Sequence, residues 1–505
     1  MTKELKNLYE NLIDQLVIDG IIANYKGNKK DELIKLFEKD LPLEYKRSAA
    51  LKAIEELNKD NVKLHSLMFE KIRGMHDDYS RMAYAKKLVG LMREYVKVGK
   101  EEVKKFGEVM TPIELVEEML DTLPPRVWTN PDLKWLDPCN GVGIFPAVIV
   151  ERLMKGLTKA IPDQKERYQH IVENMIHVCE LQHKNLFLHM CAFDPKDLYA
   201  MNVYCGSYLD EGFDTHAMEV WGVEKFDIIV MNPPYQEHKE GNKKSKPLWN
   251  LFVIKTLEQL NETGYLVAVH PSGWRNVSGT FKRTQEELKK HQILSLEIHN
   301  VDDGIKTFGA ATRYDFYCLQ NVEPTMFTKI VCEDGTIERA DISQMEFIPN
   351  GRFDEFVNLL ANDGDEKVNV LYSRSAYGND KPNTAKEIDG VFKYPCVQNV
   401  NMKNEISSIW YSNTNQKGHF GIPKVIFGRR SSGVFIDELG EYGMADQCAG
   451  IVDEPKNLFF IQRAMLNPDF IELSKMLDFG GVCSNYNWNI IPLFRKNFWE
   501  EFQPA

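Results

Sequence analysis

Through the first hundred positions apolar residues recur three and four apart, in LKNLYENLIDQLVIDGII, DELIKLFEKDL, RSAALKAIEELNK and SRMAYAKKLVGLMREYVKV. That spacing lines one face of a helix, so residues 1–98 read as a helical domain, a scaffold or partner-docking layer. From residue 99 to 325 the pattern changes to short apolar runs. LKWLDPCN, MIHVCEL, NVYCGSYL, FDIIVMN, GYLVAVHPSG, ILSLEIHN and YDFYCLQN are strand candidates. Between them IFPAVIVERLMKGL, PLWNLFVIKTLEQL and FKRTQEELKKH keep helical spacing. Alternation of this kind predicts βαβ units, hence an α/β fold with a doubly wound, mostly parallel sheet. Residues 326–505 are mixed. EDGT (Glu333–Thr336) predicts a hairpin turn, PKVIFGRR and SSGVFID predict strands, and NLFFIQRAMLNPDFIELSKML predicts late helix. That stretch is expected to be a separate α+β domain.

A chain of 505 residues is too long for one compact core, and two or three domains are expected. Nine cysteines, none in a CxxC pair, argue against a disulfide framework or a zinc ribbon and favour a reducing cytoplasm. No uncharged apolar run reaches the length that predicts a transmembrane helix. The opening MTKELKNLYENL carries acids and does not look like a secretory signal. The net charge of −12 weighs against a polyanionic partner for the surface as a whole, while leaving room for a local basic face.

The chemistry gathers at the carboxyl ends of the predicted strands, where open α/β sheets bind ligands. The first strand runs into Asp137-Pro138-Cys139-Asn140-Gly141-Val142-Gly143-Ile144-Phe145. Glycines at 141 and 143 allow a tight turn and a close backbone approach, and a helix follows at once. A purely structural strand-to-helix turn carries the same GxG. The dinucleotide fingerprint is absent, because Ala147 and Val148 stand where a third glycine belongs, which disfavours a nicotinamide enzyme. Glu180 ends the second strand, a place suited to accepting hydrogen bonds from a ribose. The fourth strand delivers Asn232-Pro233-Pro234-Tyr235. Two prolines fix φ and remove two backbone donors, so the Asn232 amide oxygen and the Pro233 carbonyl are aimed outward as acceptors. Two acceptors on one planar amine favour lone-pair character on its nitrogen and stabilise the positive charge that develops as it attacks. Tyr235 supplies a flat face for a base.

In order and content these motifs resemble the adenine-N6 family of S-adenosylmethionine-dependent DNA methyltransferases, in the class with a C-terminal target-recognition domain. FGEVMTP (Phe106–Pro112) resembles the motif that precedes the sheet, DPCNGVGIF the cofactor loop, CEL the ribose-binding acid and NPPY the catalytic motif. The resemblance spans about 220 residues. It implies a seven-stranded sheet over 99–325, a target-recognition domain over 326–505, and S-adenosylmethionine as cofactor with no metal. It assigns cofactor contacts to Thr111, Pro112, Asp137, Pro138, Gly141, Gly143, Phe145, Glu180, Ser207 and Asn232, and the target base to Asn232, Pro233, Pro234 and Tyr235. Ser207 stands where the family commonly has an acid, with Asp210 as a substitute. The family's second stacking aromatic corresponds to Phe308, with Tyr314 as runner-up.

A target inside duplex DNA must be flipped into the pocket at a cost of a few kcal/mol. The lysines of EHKEGNKKSKP (Lys239, Lys243, Lys244 and Lys246) suit phosphates, and Arg429 and Arg430 in FGRRSSG suit guanine edges. FGGVCSNYNWN (Phe479–Asn489) is rich in polar and aromatic groups. The expected partners are double-stranded DNA and a cognate restriction endonuclease or specificity subunit. Alternatives are a modification subunit of a larger restriction complex, an RNA adenine or protein glutamine methyltransferase, and a non-catalytic DNA-binding subunit. A fused nuclease is disfavoured, because no PD…(D/E)xK arrangement stands out.

Overall fold

The computed structural model describes residues 111–194, 198–237, 246–277, 279–372, 384–428, 433–479 and 489–503. The helices expected over 1–98 lie outside the described residues, as do Phe106–Met110 of FGEVMTP, Lys239, Lys243, Lys244, Arg429, Arg430 and the interior of FGGVCSNYNWN.

Each predicted strand of the central region is present. In chain order the elements are α1 (Ile113–Asp121), β1 (Trp135–Asp137), α2 (Ile144–Gly156), α3 (Gln164–His170), β2 (Ile176–Glu180), α4 (His183–Phe193), β3 (Asn202–Cys205), α5 (Glu211–His216) and β4 (Phe226–Met231). Then follow β5 (Gln236–Glu237), β6 (Lys246–Pro247), α6 (Trp249–Glu258), β7 (Leu260–Pro271), α7 (Lys282–Leu288), β8 (Gln292–His299), α8 (Val301–Phe308), β9 (Tyr314–Gln320), β10 (Thr328–Val331) and β11 (Ile337–Ala340). The sheet runs β11-β10-β8-β9-β7-β4-β1-β2-β3. Pairings β1–β2, β1–β4, β2–β3, β4–β7 and β8–β10 are parallel, while β9 lies antiparallel between β7 and β8.

The sheet has nine strands where seven were expected. The EDGT hairpin forms as predicted, with Gly335 at φ +82°. Its first strand, β10, also pairs in parallel with β8 and so extends the large sheet. Local turn chemistry predicts a hairpin, but not which distant edge it joins.

The run FDIIVM is continuous because β4 is covered on both faces. Ile228 and Val230 enter the core beneath α1, α2, α3 and α4, while Ile229 and Met231 enter the core beneath α5, α6 and α7. All four are 0% exposed, so the period of two is hidden inside an all-apolar segment. Chain order reverses between β1 and β4, and their carboxyl ends open side by side, the usual place for a ligand crevice.

The remaining described residues form α9 (Phe353–Leu359), β12 (Asn369–Tyr372), β13 (Thr384–Ala385), β14 (Tyr394–Val400), β15 (Ile406–Ser412), β16 (Lys424–Gly428), β17 (Val434–Asp437), β18 (Gly443–Met444), β19 (Cys448–Val452), α10 (Pro455–Met465) and α11 (Pro468–Lys475). The strands make two four-stranded sheets, β12-β19-β16-β17 and β13-β15-β14-β18. Among the described residues no helix is long and apolar enough to cross a membrane.

Candidate active site

The loop after β1 is held from within. Asn140 N–H donates to the Cys179 carbonyl at 3.0 Å, and Gly143 N–H donates to the Asn140 carbonyl at 3.0 Å. Its two glycines do different work. Gly143 has φ +94°, and a Cβ there would stand 2.5 Å from Nδ1 of His189 and 3.1 Å from the Phe193 ring. Gly141 has φ +56°, and a Cβ there would meet none of the described residues within 4 Å. The first glycine therefore has no described neighbour on that side, whereas the second seats the loop on α4. His189 was not foreseen as part of this support. The signal was a lone histidine in the apolar run NLFLHM, and burial pushes its pKa down to about 3, so it sits neutral against Phe193.

Asp137 ends β1 and is 3% exposed. Its Oδ1 accepts from Cys139 N–H at 3.2 Å, while Oδ2 is buried without a partner among the described residues. Burial pushes its pKa up to about 7, with the Cys139 amide opposing. Pro138 and Phe145 are buried beside it, and the Cys139 thiol is held protonated by burial and by the nearby Asp137 and Glu180. Glu180 accepts from the N–H groups of Gly141 and Gln182, each at 2.7 Å. The acid expected at a ribose thus also fastens the glycine loop to the end of β2. Ser207 is held in a turn, its hydroxyl accepting from Leu209 N–H at 3.2 Å, and Asp210 beyond it is exposed.

At the end of β4 the Asn232 amide nitrogen donates to the Thr111 hydroxyl at 2.9 Å. Its oxygen Oδ1 is buried and has no partner among the described residues. Thr111 is 6% exposed and Pro112 half-buried, which brings the end of FGEVMTP against NPPY. Pro233 is buried and Pro234 half-buried. The turn closes where Leu248 N–H donates to the Tyr235 carbonyl at 3.1 Å and β5 pairs with β6. Lys246, on β6, is exposed.

The Tyr235 hydroxyl is buried without a partner among the described residues, and burial keeps it protonated. Its ring lies edge-to-face with Phe308, centroids 6.3 Å apart at 83°. Phe308 is half-buried at the end of α8. Tyr314, the runner-up aromatic, is placed otherwise than a stacking role requires. It is 2% exposed, its ring meets Phe308 edge-to-face with centroids 4.9 Å apart, and its face is covered by His299 at 4.3 Å and 8°. The two aromatics thus differ in burial, a difference that no spacing rule gives.

An amide acceptor, a glycine loop, a strand-end acid and two aromatics thus gather about the carboxyl ends of β1, β2 and β4. Residues 151–308 match the family model of the Eco57I restriction-modification methylase. An uncharacterized adenine-specific methylase of Mycoplasma pneumoniae is 28% identical over 255 residues, which cover 37% of this chain and 60% of that protein. The chain thus matches about three fifths of that relative's length. These matches agree with the resemblance carried by the four motifs, in that both point to adenine-specific, restriction-modification methylases. Among solved structures, the type IIL restriction-modification enzyme MmeI in complex with DNA aligns with a TM-score of 0.47 at 11% identity, covering 97% of this chain and 79% of that one. The type I restriction-modification methyltransferase subunit from Streptococcus thermophilus aligns with a TM-score of 0.34 at 15% identity, covering 64% and 80%.

Proposed function

We propose that this chain moves a methyl group from S-adenosylmethionine to the N6 amine of an adenine flipped out of duplex DNA, at one short recognition sequence. The observation that carries the reading is the Asn232 amide. Its nitrogen is committed to Thr111, so its buried oxygen is left as an acceptor with no partner among the described residues. That is what an amine nucleophile requires and what a structural turn does not explain.

The cofactor fits the residues present. Asp137 offers a buried carboxylate oxygen with no partner among the described residues for a cationic group, and Gly141 has none of them within 4 Å of where a Cβ would stand. Glu180, the last residue of β2, is the acid placed for the ribose hydroxyls. When bound, S-adenosylmethionine supplies an electrophilic sulfonium methyl. The protein's part is to orient the amine, exclude water and hold charge. Asn232 and the Pro233 carbonyl accept the amine's hydrogens, stabilising the positive charge that grows on its nitrogen. Tyr235 offers its face to the base, with Phe308 edge-to-face beside it, and stacking on Tyr235 offsets part of the flipping cost. Holding two reactants in line supplies much of the remaining rate. The Cys139 thiol stays protonated and takes no nucleophilic part.

Duplex DNA as substrate, the lysines at 239–246 and Arg429–Arg430 as its contacts, and a restriction endonuclease or specificity subunit as partner belong to the same proposal. The test is to express the chain in a methylation-free host and sequence its genomic DNA for modified adenines. One short motif modified by the wild type, and not by Asn232→Ala, is the expected result. Unmodified DNA together with methyl transfer to RNA or to a protein glutamine would overturn the choice of substrate. Failure of the purified protein to bind S-adenosylmethionine would overturn the whole reading.

A further inference from the structure

Phe308 is the last residue of α8, followed by Gly309 in the left-handed region, so no further helical turn packs over its ring. A half-exposed aromatic in that position has several rotamers open to it. What limits it lies behind it. The Tyr314 and Phe308 rings meet edge-to-face with centroids 4.9 Å apart, and the Tyr314 hydroxyl meets the Thr307 hydroxyl at 3.1 Å, one residue before Phe308. Tyr314 is itself fixed. It opens β9, its cross-strand partner in β8 is His299, and the two rings stack at 4.3 Å and 8°. His299 in turn lies 5.7 Å from the Phe316 ring, between the carboxylates of Glu297 and Asp303. The start of α8 is pinned by a capping box between Asn300 and Asp303. Its middle is pinned at Gly304, where a Cβ would fall 1.9 Å from the Thr312 carbonyl.

We propose that Tyr314, through its edge-to-face ring contact and its hydroxyl bond to Thr307, is the positioning residue that holds Phe308 edge-to-face beside Tyr235, where it borders the target base. The brace is two-pointed. The ring contact limits the Phe308 ring, and the hydroxyl bond fixes the last turn of α8 that carries it. His299 backs Tyr314 from the sheet, so the rigidity of β8 and β9 is passed to the lip of the pocket. Tyr314 touches no reactant and acts only through Phe308. The inference rests on the adenine reading above.

The test uses the full chain, S-adenosylmethionine and a duplex carrying the motif found modified in the host. Tyr314→Phe keeps the ring and removes the hydroxyl, while Thr307→Val removes the same bond from the other side. Each is expected to raise the KM for DNA about fivefold, with cofactor Kd unchanged within about twofold. The double variant should be no worse than either single one, because both remove one interaction. Tyr314→Leu, which also removes the ring contact, should raise KM further. Wild-type KM in all variants, additive single effects, or a parallel loss of cofactor affinity would each overturn the inference. A wild type that modifies no DNA removes the substrate reading and this inference with it. A wild type that modifies DNA beside variants that match it removes this inference alone.

Discussion

The Asn232 amide nitrogen donates to the Thr111 hydroxyl at 2.9 Å, across 121 residues of sequence. With the nitrogen engaged there, the amide oxygen is the end left without a partner among the described residues. Thr111→Val keeps the shape and removes the hydroxyl, so the amide is free to turn over. The expected outcome is a fall in kcat of about tenfold at saturating cofactor, with Thr111→Ser near wild type. If Thr111 serves the cofactor instead, cofactor Kd rises and kcat is preserved, which steady-state kinetics at saturation distinguishes.

Asp137 gives a pH prediction with a definite sign. Its folded pKa of about 7 lies above the ordinary 3.8, so the folded state holds the proton more tightly than the unfolded chain. Its stabilising effect is complete below 3.8 and is lost as pH rises through about 7, as ionisation in a buried site is forced on the fold. Asp137→Asn removes that cost. The cofactor-free variant should melt higher than wild type at pH 8 and level with it at pH 4, by differential scanning fluorimetry. The same change removes the charge that a cationic ligand needs, so cofactor affinity should fall about tenfold or more in calorimetry. Equal melting at pH 8 would show that Asp137 ionises without cost.

What could be read from the sequence followed from burial. In FDIIVM the four residues Ile228, Ile229, Val230 and Met231 are apolar and 0% exposed because both faces of the strand are covered, so the run stands out although Asp227 precedes it. NPPY and the glycine loop were legible because proline and glycine act on the backbone wherever they stand. Non-local choices were hidden. Nothing local tells that β10 would pair with β8, or that Tyr314 would lie behind Phe308. Glu180 was read as a ligand residue, and its bond to Gly141 N–H shows a second task that only the approach of β1 to β2 reveals.

The two loop glycines should separate in experiment. Gly143→Ala sets a Cβ 2.5 Å from the His189 ring at φ +94°, and a loss of about 2–4 kcal/mol is expected from strain and overpacking together. Gly141→Ala meets none of the described residues within 4 Å, so only the left-handed backbone opposes it, at a cost of about 1 kcal/mol. Thermal melting should therefore spare Gly141→Ala. Its cofactor Kd should still rise about tenfold, because the added methyl fills the side that a ligand would approach. A Gly141→Ala protein with wild-type affinity would place the cofactor elsewhere.

Arg275 and Asp315 form an ion pair at 2.8 Å in which both side chains are 0% exposed. Trp274 Nε1 also donates to Asp315, at 2.9 Å, and the guanidinium donates to the Ile348 carbonyl at 3.0 Å while lying 5.1 Å over the Phe479 ring. The pair therefore ties the end of β7 and the start of β9 to the segments leading into and out of the C-terminal sheets. A buried pair is costly to break on one side, because the survivor is left charged and unsolvated. Arg275→Met alone should lower stability by roughly 3–5 kcal/mol. Arg275→Met combined with Asp315→Leu removes both charges and should cost less than either single change. Urea unfolding of the full chain, followed by tryptophan fluorescence, reads the comparison. A double variant weaker than both singles would mean that the pair contributes net stability, and not only the avoidance of a stranded charge.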